Sequence, residues 1–364
     1  MRKSTLVHPS VRRASVTAKG RSRALGPLPR LAVHLAAAGL AWLATFDGSR
    51  SATALPTGSP GSPAPAPIPG LPELGYDLER LQEDFDIPIE INDRVLKHLR
   101  EYQSPGARRG FLRWIASSHR YAERFREILQ EHGVPGDLVF LAMVESGFRT
   151  HAESPAGAVG PWQFMASTGR ELGLRTDRWV DERRDPEKSA RAAARFLWLL
   201  HERMGDWHLA WAAYNAGPGR VSRALRRGYS DFWHMEQQRA LPAETRDYVA
   251  KIIAAAILTR HAEAFGLSVD ELQPGAWVDY ELVVIPRSTS LSRLASVAGV
   301  SVEDLRELNP ELRRSVTPPR PYLFKIPRAN LGTFAERWPG TRPRSLSAAG
   351  RERVAASAIG RAAR

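Results

Sequence analysis

Residues 134–148 of this 364-residue chain, Val-Pro-Gly-Asp-Leu-Val-Phe-Leu-Ala-Met-Val-Glu-Ser-Gly-Phe, contain seven consecutive apolar residues beginning at Leu138. Pro135 suits the first turn of a helix, and Asp137 is favoured there by the helix dipole. A helix that is apolar on all sides is a buried one. The stretch therefore predicts a buried helix that ends at Glu145.

Glu145 is the carboxyl group that this helix would carry into the interior. Loss of hydration disfavours the charged form of a carboxyl group and raises its pKa. Such a group can hold a proton near neutral pH and donate it. The alternative is a side chain just past the core that points to water, as most Glu side chains do.

Helical spacing of apolar residues extends through most of the chain, and no alternating strand pattern appears before about residue 280. Helices are predicted at residues 78–85, 95–102, 111–131, 189–204, 207–214 and 244–265. We therefore expect one mainly α domain over residues 73–270.

Residues 277–328 have a different character. A strand is predicted at 282–285, a helix at 291–298 before Gly299, a second helix from Ser301 to about residue 309, and a strand at 322–326. This order predicts a small βααβ module.

The positive charge lies at the two ends of the chain. The formal net charge is +13, of which residues 1–50 carry +8 and residues 341–364 carry +5. The region between them is neutral, so we expect no nucleic-acid partner despite the basic total. The absence of cysteine excludes disulfides, thiolate chemistry and a lipoprotein anchor.

The N-terminal region has the pattern of an export signal. A basic stretch precedes the mostly apolar residues 31–46, and Ala52-Thr53-Ala54 has the small-x-small form of a cleavage site. Residues 1–54 are predicted to be a signal peptide, or an N-terminal anchor that associates with the membrane. We expect residues 55–72 to be a Pro-rich linker, residues 341–364 to be a disordered tail, and the protein to be exported to the periplasm or cell envelope.

Residues 156–165, Ala-Gly-Ala-Val-Gly-Pro-Trp-Gln-Phe-Met, predict a loop with little side-chain bulk, which a ligand can approach closely. Trp162 and Phe164 would give this loop an aromatic platform beside the amide of Gln163. Alternatively, both rings belong to the core.

Two helix ends offer further polar groups. Tyr214 and Asn215 lie on the last turn of one predicted helix, and Glu244 lies in the first turn of another, four residues before Tyr248. Alternatively, Tyr214 is simply half-buried with its hydroxyl bonded to the backbone, and Glu244 only stabilises the start of its helix. Glu145 and Glu244 are expected to titrate differently, as in pairs that divide acid and electrostatic roles.

Taken in order, these motifs resemble those of lytic murein transglycosylases. The matching segments are Glu145-Ser146-Gly147-Phe148, residues 156–165, Ala213-Tyr214-Asn215-Ala216-Gly217 and Glu244-Thr245-Arg246-Asp247-Tyr248-Val249. Gly-Pro-Trp-Gln-Phe at 160–164 and Asp181-Glu182-Arg183-Arg184-Asp185-Pro186 are similar to the membrane-bound lytic murein transglycosylase D type. The resemblance covers about residues 75–328.

The resemblance implies a lysozyme-like α fold that cuts the MurNAc-GlcNAc β-1,4 bond of peptidoglycan and leaves 1,6-anhydro-MurNAc ends. It assigns Glu145 as the catalytic acid and base. The substrate-binding residues that it implies are Ser146, Gly160, Trp162, Gln163, Phe164, Tyr214, Asn215, Glu244 and Tyr248. None of the ten histidines forms a convincing metal-ligand pair, so no metal or cofactor is expected.

The βααβ module resembles a LysM domain, although Ser288-Thr289-Ser290 stands where that family commonly has Gly-Asp-Thr. A glycan binder and a packed spacer both remain open, and loss of residues 275–364 is expected to leave catalysis on soluble fragments intact. The expected partner is the peptidoglycan glycan strand, bound by a monomer. The alternative functions are a goose-type lysozyme-like hydrolase and a non-catalytic peptidoglycan-binding scaffold.

Overall fold

The structure, a computed structural model, describes residues 78–268 and 275–338. The predicted signal peptide or anchor, the Pro-rich linker and the basic tail lie outside the described residues.

Ten α-helices occupy the first described range. They are α1 (Leu78–Glu83), α2 (Asp93–Gln103), α3 (Pro105–Glu131), α4 (Val139–Ser146), α5 (Ala166–Glu171), α6 (Pro186–Met204), α7 (Trp207–Ala216), α8 (Pro218–Arg226), α9 (Phe232–Gln237) and α10 (Ala243–Arg260). Across both described ranges, every helix is too short or too polar to cross a membrane.

Helix α10 forms the centre of this domain. Every residue from Tyr248 to Leu258 is buried, and the helix packs against α2, α4 and α7. All eight residues of α4 are buried as well. The prediction of a buried helix that ends near Glu145 is therefore confirmed.

The predicted first turn of that helix differs from the observed one. Gly136–Leu138 form a 3₁₀ turn, and the α-helix begins only at Val139. The Asp137 carboxylate accepts hydrogen bonds from the Arg260 guanidinium at 2.6 and 2.7 Å. An ion pair with α10, in addition to any helix-dipole effect, holds this carboxylate in the interior.

The second described range contains the predicted βααβ module. Its elements are β1 (Tyr280–Ile285), α11 (Leu291–Ala298), α12 (Val302–Leu308) and β2 (Tyr322–Pro327), followed by α13 (Leu331–Arg337). The strands are antiparallel, with Tyr280 opposite Pro327 and Ile285 opposite Tyr322. Ser301 and Asp304 form the capping box at the start of α12.

Helix α13 lies beyond the expected module boundary at residue 328. Phe334 on this helix is fully buried in the module core, so the packed module continues through α13. The expected fold class, a mainly α domain followed by a small βααβ module, is confirmed.

The module and the α domain share interior residues. Val180, from the loop before α6, is fully buried in the hydrophobic core of the module. Lys325 on β2 is buried and pairs with Asp185 at 2.7 Å and Glu311 at 3.3 Å. Burial alone would lower the pKa of Lys325, but the charges of the two carboxylates outweigh burial and raise that pKa above its usual value.

Candidate active site

Glu145 lies at the C-terminal end of α4 with a side chain turned away from bulk solvent. The residue is 4% exposed, and the Tyr248 hydroxyl donates a hydrogen bond of 2.6 Å to Oε1. The carboxyl group is therefore held by α10, one of the helices that pack against α4.

The surroundings of Glu145 favour its protonated form. The pKa of Glu145 is raised to about 8. Burial is the main cause and the charge of Glu244 adds to it, whereas the hydrogen bond from Tyr248 acts in the opposite direction. Burial also raises the pKa of Tyr214 and Tyr248 well above the usual tyrosine value, and the charge of Glu145 adds to both shifts. The site thus holds an acid that is mostly protonated at neutral pH, beside two phenols that remain neutral.

The chain turns sharply just after Glu145. Gly147 has φ +60°, and a Cβ at this position would lie 2.3 Å from the indole of Trp114. Phe148 also has a positive φ, +62°, which is uncommon for a bulky residue. Such backbone strain persists only where the surrounding structure enforces it, and it often occurs at functional sites.

The 156–165 loop is joined to the site through its main chain. The Ser146 hydroxyl donates to the Pro161 carbonyl at 2.8 Å, and the Tyr214 hydroxyl donates to the Trp162 carbonyl at 2.7 Å. The resemblance implies that Ser146 binds substrate. In the structure its hydroxyl joins α4 to the loop.

Gly160 and Gln163 shape the middle of this loop. Gly160 has φ +87°, and a Cβ there would lie 1.9 Å from the carbonyl oxygen of Arg183, so only glycine fits. Gln163 has φ +47°, and its Nε2 donates to the Gly160 carbonyl at 2.8 Å. Its Oε1 is buried and has no hydrogen-bond partner among the described residues.

The predicted aromatic platform is not found. Trp162 is fully buried beside Phe125, at 5.4 Å between ring centroids, and Phe164 packs against Phe196 and Tyr214 at 6.4 and 6.1 Å. Neither ring can stack on a bound sugar, because both faces are occupied by the core. The alternative interpretation, that both rings belong to the core, is the correct one.

The C-terminal end of α7 and the N-terminal end of α10 meet beside the acid. The Thr245 hydroxyl donates to Asn215 Oδ1 at 2.8 Å, which connects the last turn of α7 to the first turn of α10. Glu244 lies in that first turn, as predicted, and its Oε1 is buried without a hydrogen-bond partner among the described residues. The structure therefore brings Tyr214, Glu244 and Tyr248 into the electrostatic surroundings of Glu145.

Sequence reasoning gave no role to Arg183 and Thr245. The charge-rich Asp181–Pro186 segment is part of the family resemblance, but nothing in its pattern indicates that one arginine is buried. Among the described residues, no group of His, Cys, Asp and Glu could hold a metal ion.

Comparison with known families agrees with this geometry. Residues 124–232 match the family described as the transglycosylase SLT domain. This part of the chain is therefore similar to SLT domains. Residues 280–339 match the family described as the LysM-like domain of lytic transglycosylase MltD. The second match extends past the expected boundary at residue 328 and includes α13.

Several named proteins are similar to this chain. Membrane-bound lytic murein transglycosylase D of Escherichia coli K12 is 35% identical over 214 residues, which are 56% of this chain and 43% of the relative. Membrane-bound lytic murein transglycosylase F 2 of Alkalilimnicola ehrlichii is 32% identical over 35% of this chain and 30% of its own length. The chain therefore spans less than half of the length of either relative.

Among solved structures, an inactive mutant of the lytic transglycosylase Slt from Pseudomonas aeruginosa is 25% identical. It covers 43% of this chain and 25% of its own chain, with a TM-score of 0.33.

Proposed function

We propose that the protein is a lytic transglycosylase that cleaves the MurNAc-GlcNAc β-1,4 bond of peptidoglycan and forms 1,6-anhydro-MurNAc ends. The observation that carries this proposal is the buried carboxyl group of Glu145, whose pKa is raised to about 8, chiefly by burial. The SLT match over residues 124–232 supports it independently.

Glu145 would act twice in one cycle. Its proton would pass to the leaving glycosidic oxygen as the bond from that oxygen to the anomeric carbon breaks. The resulting carboxylate would then accept the proton of the muramyl 6-hydroxyl as that oxygen bonds to the anomeric carbon. No water is consumed, and the enzyme ends the cycle protonated as it began.

One carboxyl group is sufficient for this chemistry. Glycosidases that hydrolyse their substrate generally use two, about 5–5.5 Å apart in retaining enzymes and about 6.5–9.5 Å apart in inverting ones. Here the second nucleophile would be the sugar's own hydroxyl, and well-oriented internal nucleophiles reach effective molarities of about 10⁵–10⁸ M.

The remaining groups would position the sugar and stabilise charge. Glu244 would support the positive charge that develops near the anomeric carbon, and Tyr248 would hold the Glu145 carboxyl in place by its 2.6 Å hydrogen bond. Gln163 would hold the 156–165 loop in place through its hydrogen bond to the Gly160 carbonyl. Tyr214 and Asn215 would fix the surrounding backbone.

The same proposal implies where the enzyme acts and in which oligomeric state. An enzyme of this kind would act outside the cytoplasm, in the periplasm or cell envelope, as a monomer on glycan strands. Whether its N-terminal segment is cleaved or anchors it to the membrane is decided by N-terminal sequencing of the protein from its native envelope.

Mass spectrometry of the products from purified sacculi tests the proposed function. A lytic transglycosylase releases fragments whose anhydro ends lack one water relative to reducing ends. Fragments with reducing ends alone would indicate a hydrolase. Binding to sacculi without any soluble product would indicate a scaffold.

A further inference from the structure

Residues Val180–Asp185 link the C-terminal module to the loop beside Glu145. Val180 is buried in the module core, and the backbone N–H of Asp181 donates to the carbonyl of Glu311 at 2.8 Å. Asp185 pairs with the buried Lys325 of the module at 2.7 Å. The segment belongs to the α domain in sequence, but both of its ends are held by the module.

Arg183 forms the inner side of this link. Its Nε and Nη2 donate to the two carboxylate oxygens of Asp181 at 2.9 and 2.7 Å, in the bidentate geometry that orients a guanidinium firmly. Its Nη1 donates to the carbonyls of Phe164 at 2.9 Å and Gly157 at 3.1 Å. Nη1 of this buried side chain thus holds the 156–165 loop near both of its ends.

The loop is also hydrogen-bonded to residues around Glu145, so its position affects the surroundings of that carboxyl group. Its middle contacts the main chain of Arg183 at Gly160, where any side chain would collide with the Arg183 carbonyl. Its Pro161 carbonyl accepts from Ser146, the neighbour of the acid, and its Trp162 carbonyl accepts from Tyr214. A shift of the loop would therefore move the groups that enclose the carboxyl.

We propose that Arg183 is a positioning residue for Glu145, and that the C-terminal module is a structural part of the active site through the Asp181–Arg183 pair. This inference rests on the proposed function for its catalytic consequence. The mechanical link itself can be measured without any assay of activity.

Amide hydrogen exchange of the full-length protein measures the link directly. Arg183→Ala should accelerate exchange in residues 157–164 by about tenfold or more, because two hydrogen bonds from a buried charged donor are lost. The matched control is Arg320→Ala, which removes an ion pair to Asp177 that also joins the module to the α domain but does not touch the loop. The control should leave exchange in the loop unchanged.

Kinetics of the same variants measure the catalytic consequence. Arg183→Ala should lower kcat on soluble peptidoglycan fragments by about 10²-fold, as a displacement of roughly 1 Å can do, with a smaller change in KM. Millimolar guanidinium should restore part of the rate, because it can occupy the vacated position between Asp181 and the loop carbonyls. Arg183→Lys keeps the charge but loses the bidentate pairing with Asp181, so its kcat should lie between that of the parent and that of Arg183→Ala.

A variant within the module tests whether the module is part of the link. Lys325→Met removes the buried cation that pairs with Asp185, and it should also accelerate exchange in the 157–164 loop. If this variant proves too unstable, Val180→Ala, which reduces the packing of the segment in the module core, carries the test, and its loop exchange should still exceed that of Arg320→Ala.

The outcomes separate the two proposals. A parent protein that makes no anhydro product would overturn the proposed function, whatever the exchange data show. An active parent whose loop exchange and kcat are unaltered in both Arg183 variants would overturn the positioning role. Unaltered loop exchange in a folded Lys325→Met protein would overturn the role of the module.

Discussion

Glu145 combines burial with a hydrogen bond that partly opposes the effect of burial. Desolvation favours the neutral acid, whereas the Tyr248 hydroxyl stabilises the carboxylate that forms once the proton has left. A group placed between these two influences has comparable tendencies to give and to accept a proton near neutral pH. This balance suits a residue that acts as acid and then as base.

The balance makes the pH dependence of the reaction predictable. Activity requires protonated Glu145, so kcat/KM should fall as pH rises through about 8. Tyr248→Phe removes a hydrogen bond that lowers the pKa of Glu145, so the alkaline limb of the pH profile should move to higher pH. Tyr214→Phe is the control, because that hydroxyl donates to the Trp162 carbonyl rather than to the acid. Equal limbs in the two variants would contradict this account.

Burial of Glu145 should also make the fold less stable at alkaline pH. Its pKa is raised from 4.5 to about 8, so between these values the folded protein binds more protons than the unfolded chain, and the free energy of unfolding declines as pH rises. Glu145→Gln lacks this titration. At about 1.4 kcal/mol per pKa unit, the variant should gain on the order of a few kcal/mol over the parent at pH 8 relative to pH 4.5.

Urea unfolding of both proteins at the two pH values measures this gain. Glu123→Gln on the exposed side of α3 is the matched control and should show no such gain. A Glu145→Gln protein whose stability follows that of the parent at both pH values would contradict the burial of the charge.

At the scale of the elements, the site depends on how α4, α7 and α10 meet the 156–165 loop. The helices supply side chains, and the loop supplies backbone carbonyls that accept from Ser146 and Tyr214. The loop itself is held from behind by the main chain and side chain of Arg183. Added bulk on the side of the loop that faces Arg183 should therefore disturb its geometry. Added bulk on the side away from Arg183 should be tolerated.

Two glycines of the loop test this difference. Both have a positive φ, +87° at Gly160 and +82° at Gly157, so alanine brings a similar conformational cost of roughly 1–2 kcal/mol at each. A Cβ at Gly160 would also lie 1.9 Å from the Arg183 carbonyl, whereas nothing lies within 4 Å of one at Gly157. Gly160→Ala should lower both the melting temperature and kcat far more than Gly157→Ala. Equal effects would show that the backbone contact is unimportant.

The elements were predictable where a local pattern determines them. The all-apolar run before Glu145 predicted its burial, and the apolar spacing with Gly299 predicted α11 over residues 291–298 as observed. For the candidate site, the sequence pointed only to residues that lie in distinctive motifs. The burial of Trp162 and the hydrogen bonds from Arg183 to the loop depend on contacts between segments that are distant in sequence. No local pattern encodes such contacts.

At the scale of the whole molecule, the C-terminal module is not a separate appendage. It buries Val180 in its own core and surrounds the Lys325 ammonium with carboxylates from both parts of the chain. From the sequence, removal of residues 275–364 was expected to leave catalysis on soluble fragments intact. The contacts with Val180 and Asp185 lead us to predict that the removal lowers catalysis instead. Loss of residues 275–364 would expose the segment that positions the loop.

Calorimetry of the full-length protein tests this integration. The two parts should unfold in one cooperative transition, because each contributes to the interior of the other. Lys325→Met should lower the melting temperature of that single transition, since removal of one partner from a buried ion pair typically costs about 3–5 kcal/mol. Arg320→Ala, at a half-buried pair, should change it much less. Two transitions in the parent protein would contradict the integration.

The most direct test of the central claim is the rate of fragment release from soluble peptidoglycan by the parent and by Glu145→Gln, with glycan binding measured alongside. One proton-transfer group is typically worth about 10²–10⁴ in rate. We predict that Glu145→Gln loses at least this factor and still binds glycan. A Glu145→Gln protein that releases anhydro fragments at near the parental rate would contradict the role of this carboxyl group as acid and base.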